Sequence, residues 1–168
     1  ALEDTQARLK ERLQLLYPTG GVPSVMSFTT TFPRLDAGGL ELLLEWIVEN
    51  KPSLVVIDVW NKVKPTGTDK ALNAYEADYK AVGPLKALAD MTDTPILLVH
   101  HLKKGGAANG EMLEGLSGSM GLPSAADAIL ALKREGQNET ATIERTGRDL
   151  DCTDDIPIRW TKPAGWRL

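Results

Sequence analysis

The chain has 168 residues, 42% of them hydrophobic, with a formal net charge of −4 and a pI near 5.2. That is enough apolar material for one domain with one real core. The acidic balance excludes a small basic DNA-binding module, so any nucleic-acid contact has to come from a local basic patch. Cys152 is the sole cysteine, which excludes an intrachain disulfide and a cysteine zinc cluster and fits a reducing, cytoplasmic setting. No apolar run approaches the length of a membrane span, and no signal-peptide pattern opens the sequence.

The first residues, ALED, set an acidic pair directly after apolar ones, as at a strand end that presents a carboxylate on the edge of an α/β sheet. From Thr5 to Leu16 the residues Leu9, Leu13 and Leu16 recur on one helical face, which predicts an amphipathic helix. YPTGG breaks it, and Val25 to Thr30 reads as a short strand. Leu40, Leu43, Leu44, Ile47 and Val48 then follow the i, i+3, i+4, i+7, i+8 spacing of a second helix, closed by Pro52.

Leu54 to Ile57 is a continuous apolar run ending in Asp58, the habit of a parallel strand buried on both faces. A helix is predicted around Tyr75 to Ala89, bent at Pro84. Ile96 to Val99 repeats the strand pattern and runs into His100 and His101. Strand, helix, strand at this rhythm predicts a right-handed crossover in a parallel sheet. Residues 102–117, rich in Gly and Ser, read as a long mobile loop. Ala128 to Leu132, Thr140 to Arg145 and Ile156 to Trp160 read as antiparallel strands extending one edge of that sheet. No internal repeat or domain boundary is visible, so the expectation is a single α/β domain over 1–168.

Chemistry concentrates at the predicted strand ends. Four apolar residues followed by Asp58 make the pattern of a Walker B strand, whose carboxylate holds Mg²⁺ through a bound water; the plainer alternative is a turn-capping aspartate. His100 and His101 should emerge on the same edge, where an imidazole can donate to a terminal phosphate, or simply satisfy a backbone carbonyl. Adjacent residues of a strand point to opposite faces, so at most one of the two makes that contact. Glu3 would lie on the same edge and polarise an attacking water, unless it or Asp4 merely caps the helix beginning near Thr5. Lys103 and Lys104 are the one basic pair that follows such a strand, fit to grip a nucleic-acid backbone or to do nothing special on a solvated loop. Arg145 and Arg148 frame RTGRD, where a rigid guanidinium can stabilise charge on a transferred phosphoryl group, with a salt bridge to Asp149 as the competitor.

The succession ALED, LVVIDVW, NAYEADYKAVGPLKALAD, ILLVHHLKKG, GSMGLPSAADAILAL and TGRDL resembles the RecA-like ATPases of plasmid and phage replication, a group that includes the RepA-type replicative helicases. The resemblance runs from Ala1 to about Asp151. It implies a RecA-like core, with a mostly parallel sheet flanked by helices and antiparallel C-terminal strands. It also implies that ATP and Mg²⁺ bind between subunits of a ring homo-oligomer, a hexamer, which translocates on single-stranded DNA with no membrane involved. Glu3 then matches the catalytic glutamate and Asp58 the Walker B aspartate. His100 and His101 fall at the phosphate-sensing strand end. Residues 103–117, with Lys103 and Lys104, fall at the loop facing the DNA channel. Arg145 or Arg148 occupies the place of the finger acting on a neighbouring subunit.

One departure is large. No G-x-x-x-x-G-K-[ST] occurs in the sequence; GGVPSVMS and KKGGAANG both lack the ending. Without that loop no backbone cradle or lysine meets the β- and γ-phosphates. In the family the loop lies upstream of ALED, so the expectation is either a truncated piece, inactive in hydrolysis by itself, or a protein that has lost ATP hydrolysis. The second case would be a nucleotide-independent oligomerisation or single-stranded-DNA-binding module. An absent strand would also leave sheet edges unpaired, to be paired with another copy or rearranged.

Overall fold

The computed structural model describes residues 1–67, 72–101, 121–134, 136–148, 150, 154–162 and 165–168. The chain divides into two compact units, Ala1–Glu3 with Thr29–Ala125, and Asp4–Phe28 with Ala126–Leu168. Both helices and strands are present, so the chain is α/β.

In the first unit a 3-10 turn, Leu35–Ala37, leads into helix α2, Gly39–Asn50 (α1 belongs to the second unit and is given below). Gly38 joins them with φ +86, a conformation that suits glycine. Strand β1 is Val55–Asp58, α3 Trp60–Val63, α4 Ala74–Thr92, β2 Ile96–Val99 and α5 Gly121–Ala125. β1 and β2 pair in parallel with Val55 opposite Ile96 and Asp58 opposite Val99, so the predicted strand, helix, strand unit forms. One core collects Leu43 and Ile47 of α2, Val55 and Ile57 of β1, Trp60 and Val63 of α3, and Val82, Leu85 and Leu88 of α4. Trp60 and Val63 are among the most deeply enclosed, at 2% and 1% exposure; the sequence pattern did not reveal α3, because four residues are too few to show a period.

Several expectations are corrected here. Among the described residues the strand pair is covered on one face only: Val56 and its register partner Leu97 are 50% and 44% exposed. A run of β-branched residues records fitness for a strand, not which faces are covered. Val48, assigned to the apolar stripe of α2, is exposed, because the core takes Leu43 and Ile47 and stops short of it. Helix α4, as expected, continues through Pro84, and it runs to Thr92; the proline forfeits one backbone bond without ending the helix. Its start is fixed by a reciprocal capping box in which Asn73 accepts from the Glu76 amide and Glu76 accepts from the Asn73 amide.

In the second unit α1 is Gln6–Leu16, and none of its residues is buried. Thr5 is its N-cap, accepting from the Arg8 amide at 3.3 Å, while Asp4 pairs with Arg8 and Arg12; the cap expected of Glu3 or Asp4 is therefore made by Thr5. No strand forms at residues 25–30, where Val25 is 89% exposed, since apolar residues make a strand only where a partner strand meets them. Strands β3 (Ala128–Lys133), β4 (Thr140–Gly147), β5 (Ile156–Thr161) and β6 (Gly165–Arg167) pair antiparallel in that order. Antiparallel pairing is as predicted, but these strands form a sheet of their own instead of extending the parallel one. Among the described residues the parallel sheet has two strands and the antiparallel sheet four, so the expected mostly parallel sheet is not what these residues make.

Candidate functional site

The site is built from the level ends of β1 and β2. Because Asp58 and Val99 are register partners, Asp58 and the residues after Val99 leave the sheet at the same edge, the edge at which open α/β sheets receive ligands. Neighbouring strands lie about 4.8 Å apart, which brings the Asp58 and His100 backbones within one ligand's breadth.

Glu3 reaches this edge by another route than the one expected. Ala1 and Leu2 are not a strand. Instead the Leu2 amide donates to the Asp58 carbonyl, the Ala1 nitrogen donates to the Thr29 carbonyl at 3.3 Å, and the Leu2 side chain packs against the core. One apolar anchor and two backbone bonds thus hold Glu3 beside the end of β1. His101 Nε2 stands 3.4 Å from Glu3 Oε2, both side chains being largely exposed. A carboxylate only accepts, so Nε2 carries the proton in this contact.

His100 is engaged differently. Its Nδ1 lies 2.8 Å from the His101 carbonyl oxygen; the carbonyl accepts, so Nδ1–H is the donor and the neutral ring keeps Nε2 as an acceptor. Of the two histidines, His101 is the one beside the glutamate.

Asp58 is half-buried, and among the described residues its carboxylate takes no hydrogen bond or ion pair. A single hard oxygen donor suits Mg²⁺, which binds through one or two carboxylates and completes its shell with water and phosphate oxygens. The described residues offer no protein-only cage: among them no three His, Cys, Asp or Glu gather. Asp58 by itself fits the ion.

Lys103 and Lys104 lie outside the described residues, as do the rest of the predicted loop and Asp149. Arg145 and Arg148 belong to the second unit: Arg145 Nε donates to the Asp154 carbonyl at 3.1 Å, and the Arg148 amide to the Asp127 carbonyl at 3.0 Å.

A framework behind the edge was not legible in the residues singled out. Lys64 pairs with Asp78 of α4, and Arg34 donates to the carbonyls of Asn61 and Lys64. The Asp36 carboxylate accepts from the amides of Thr66 and Gly67 at 2.8 and 3.1 Å, with the Thr66 hydroxyl at 3.4 Å. The two amide bonds, Gly67 foremost, hold the Asp36 carboxyl below the usual carboxylate range. These contacts fix residues 61–67, which follow β1 and α3. The Asn-x-x-Glu spacing at 73–76 was the one signal in the sequence that could have found part of it; Asp36 and Asp78 act across 30 and 14 residues, a separation no local pattern encodes.

A family model described as an AAA domain matches residues 1–107. That span contains the parallel strand pair, Glu3, Asp58 and both histidines. No curated protein matches the chain.

Proposed function

This chain belongs to the AAA domain family, whose function is of the ATPase, nucleotide-binding type, and from that premise we propose that it supplies the catalytic edge of a RecA-like motor of the replicative-helicase kind. The motor hydrolyses ATP with Mg²⁺ between subunits of a hexameric ring and moves on single-stranded DNA. The observation that carries the reading is the convergence of Glu3, Asp58, His100 and His101 on the ends of two adjacent parallel strands, with Glu3 and His101 within 3.4 Å.

In this reading Glu3 takes a proton from the water that attacks the γ-phosphorus, while the bond from that phosphorus to the bridging oxygen breaks and ADP leaves with the electron pair. His101 orients the Glu3 carboxylate and answers to the terminal phosphate. Asp58 holds Mg²⁺, which when bound neutralises charge on the phosphate oxygens. Arg145 or Arg148 reaches the phosphoryl group of a neighbouring subunit, and Lys103 and Lys104 contact the DNA backbone. The lack of G-x-x-x-x-G-K-[ST] in these 168 residues favours a second reading, a nucleotide-independent module that binds single-stranded DNA.

The test is titration calorimetry of ATP into the natural gene product with and without Mg²⁺. The expected result is Mg²⁺-dependent binding that Asp58→Asn weakens about tenfold or more, the loss of a charged ligand, and that Glu3→Gln leaves within about twofold, since a base acting on water adds little to ground-state binding. Binding of ATP that ignores both Mg²⁺ and Asp58→Asn, or no binding at all, overturns the proposal and leaves the second reading.

A further inference from the structure

The C-terminal hairpin of the second unit carries a cation arrangement that the stability of its sheet does not explain. Arg159 of β5 and Arg167 of β6 are register partners. Like charges set directly opposite on neighbouring strands destabilise a sheet, and both side chains are exposed. Neither is neutralised locally: residues 156–168 contain Arg159, Lys162 and Arg167 and no Asp or Glu. Asp155, the nearest acid along the chain, stands four residues up the strand from Arg159, about 13 Å at strand rise. Neither Asp155 nor Glu139, which flanks the Thr140 opposite Arg159, pairs with either arginine. The Arg159 side chain makes no hydrogen bond or ion pair among the described residues. Arg167 is oriented, its Nε donating to the Thr161 hydroxyl at 3.1 Å, which leaves the two terminal nitrogens of its fork for an anion.

Aromatic packing supports the two strands that carry the arginines. Trp160 and Trp166 are the next register pair, edge to face with centroids 5.5 Å apart, and the Arg134 guanidinium lies 5.1 Å from the Trp166 ring centre. Aromatic cross-strand packing of this kind stabilises a short edge strand, so the arginine pair is mounted on a packed base in a chain that is acidic as a whole.

We propose that the β5–β6 hairpin is a nucleic-acid backbone contact, in which Arg159 and Arg167 jointly hold one or two phosphodiester groups of single-stranded DNA and Lys162 a neighbouring one. Guanidinium forks match phosphate oxygens two at a time and bind them more strongly than neutral donors do, and a phosphate between the arginines removes their mutual repulsion. The identity of the anion rests on the reading that this protein works on single-stranded DNA; the existence of the site rests on the hairpin alone.

The experiment is a salt titration of oligo-dT binding to the full protein, read by anisotropy, for wild type, Arg159→Gln/Arg167→Gln and a control of equal charge change, Lys51→Gln/Lys80→Gln. The hairpin variant is expected to bind at least tenfold more weakly at low salt. Its slope of log K against log salt should be shallower by about 1.4, two phosphates on a single strand, and its melting temperature equal or higher because the like-charge pair is gone. The control should stay within twofold. If wild type does not bind oligo-dT, the DNA reading falls and the identity of the anion with it. If wild type binds and the hairpin variant binds equally well, or the control loses as much, the hairpin contact alone is overturned. Competition by polyglutamate as effective as by oligo-dT assigns the surface to an acidic protein instead and overturns the nucleic-acid assignment.

Discussion

Asp36 shows how one side chain conditions the site without touching it. Its carboxylate holds the amides of Thr66 and Gly67, and those bonds favour the charged form, so its pKa in the folded protein lies below the unfolded value. The tether is therefore complete above about pH 4, the ordinary aspartate range, and is lost as pH falls through the lower folded value. In NMR titrations the Thr66 and Gly67 amide shifts should move together with a midpoint below that range, and Asp36→Ala should abolish the transition. A midpoint at or above the ordinary value would show that the carboxylate is not held. Glu3 and His101 teach the same lesson from the opposite side. For His101 the residue type and the edge were legible, because an apolar strand that ends in Asp or His presents those groups where ligands bind; for Glu3 the residue and the edge were read correctly but for the wrong reason, since Ala1 and Leu2 form no strand. What was not legible was the anchoring of Glu3 by Leu2, since a lone apolar residue in a four-residue stretch has no periodicity to read.

At the level of elements, the ends of the helices make quantitative claims. The reciprocal bonds of Asn73 and Glu76 satisfy two amides at the start of α4, and Asn73→Ala should cost about 1 kcal/mol in urea unfolding. At the end of α2, Lys51 takes the left-handed conformation, φ 47. That conformation costs a residue with a side chain roughly 1–2 kcal/mol. Lys51→Gly should accordingly gain about 0.5–1 kcal/mol after glycine's greater freedom in the unfolded chain is subtracted. A loss at position 51, or no change at 73, would contradict the capping geometry. Helix α2 and strands β1 to β5 were readable because each spans enough residues to show a period or a continuous apolar run. Residues 25–30 misled because β propensity is realised only against a partner, and among the described residues no strand pairs with them. Exposure of Val56 and Leu97 misled for the complementary reason: the residues suit a doubly covered strand, and coverage depends on segments distant in the chain.

For the molecule as a whole, the chain belongs to the AAA domain family, and residues 1–107, which its model matches, contain every member of the strand-end cluster. The second unit adds the antiparallel sheet with Arg145, Arg148 and the cationic hairpin. Composition concealed that hairpin: a net charge of −4 averages over a segment that holds three cations and no acid. No helix among the described residues is long and apolar enough to cross a membrane.

The most direct measurement is steady-state ATP hydrolysis by the natural gene product, with and without oligo-dT, in wild type and Glu3→Gln. The account predicts Mg²⁺-dependent turnover that oligo-dT stimulates and that Glu3→Gln lowers about 100-fold or more, the range of a positioned general base, with ATP binding retained. Turnover unchanged in Glu3→Gln, or absent in wild type under conditions where ATP binds, would contradict the assignment of this strand edge as a catalytic one.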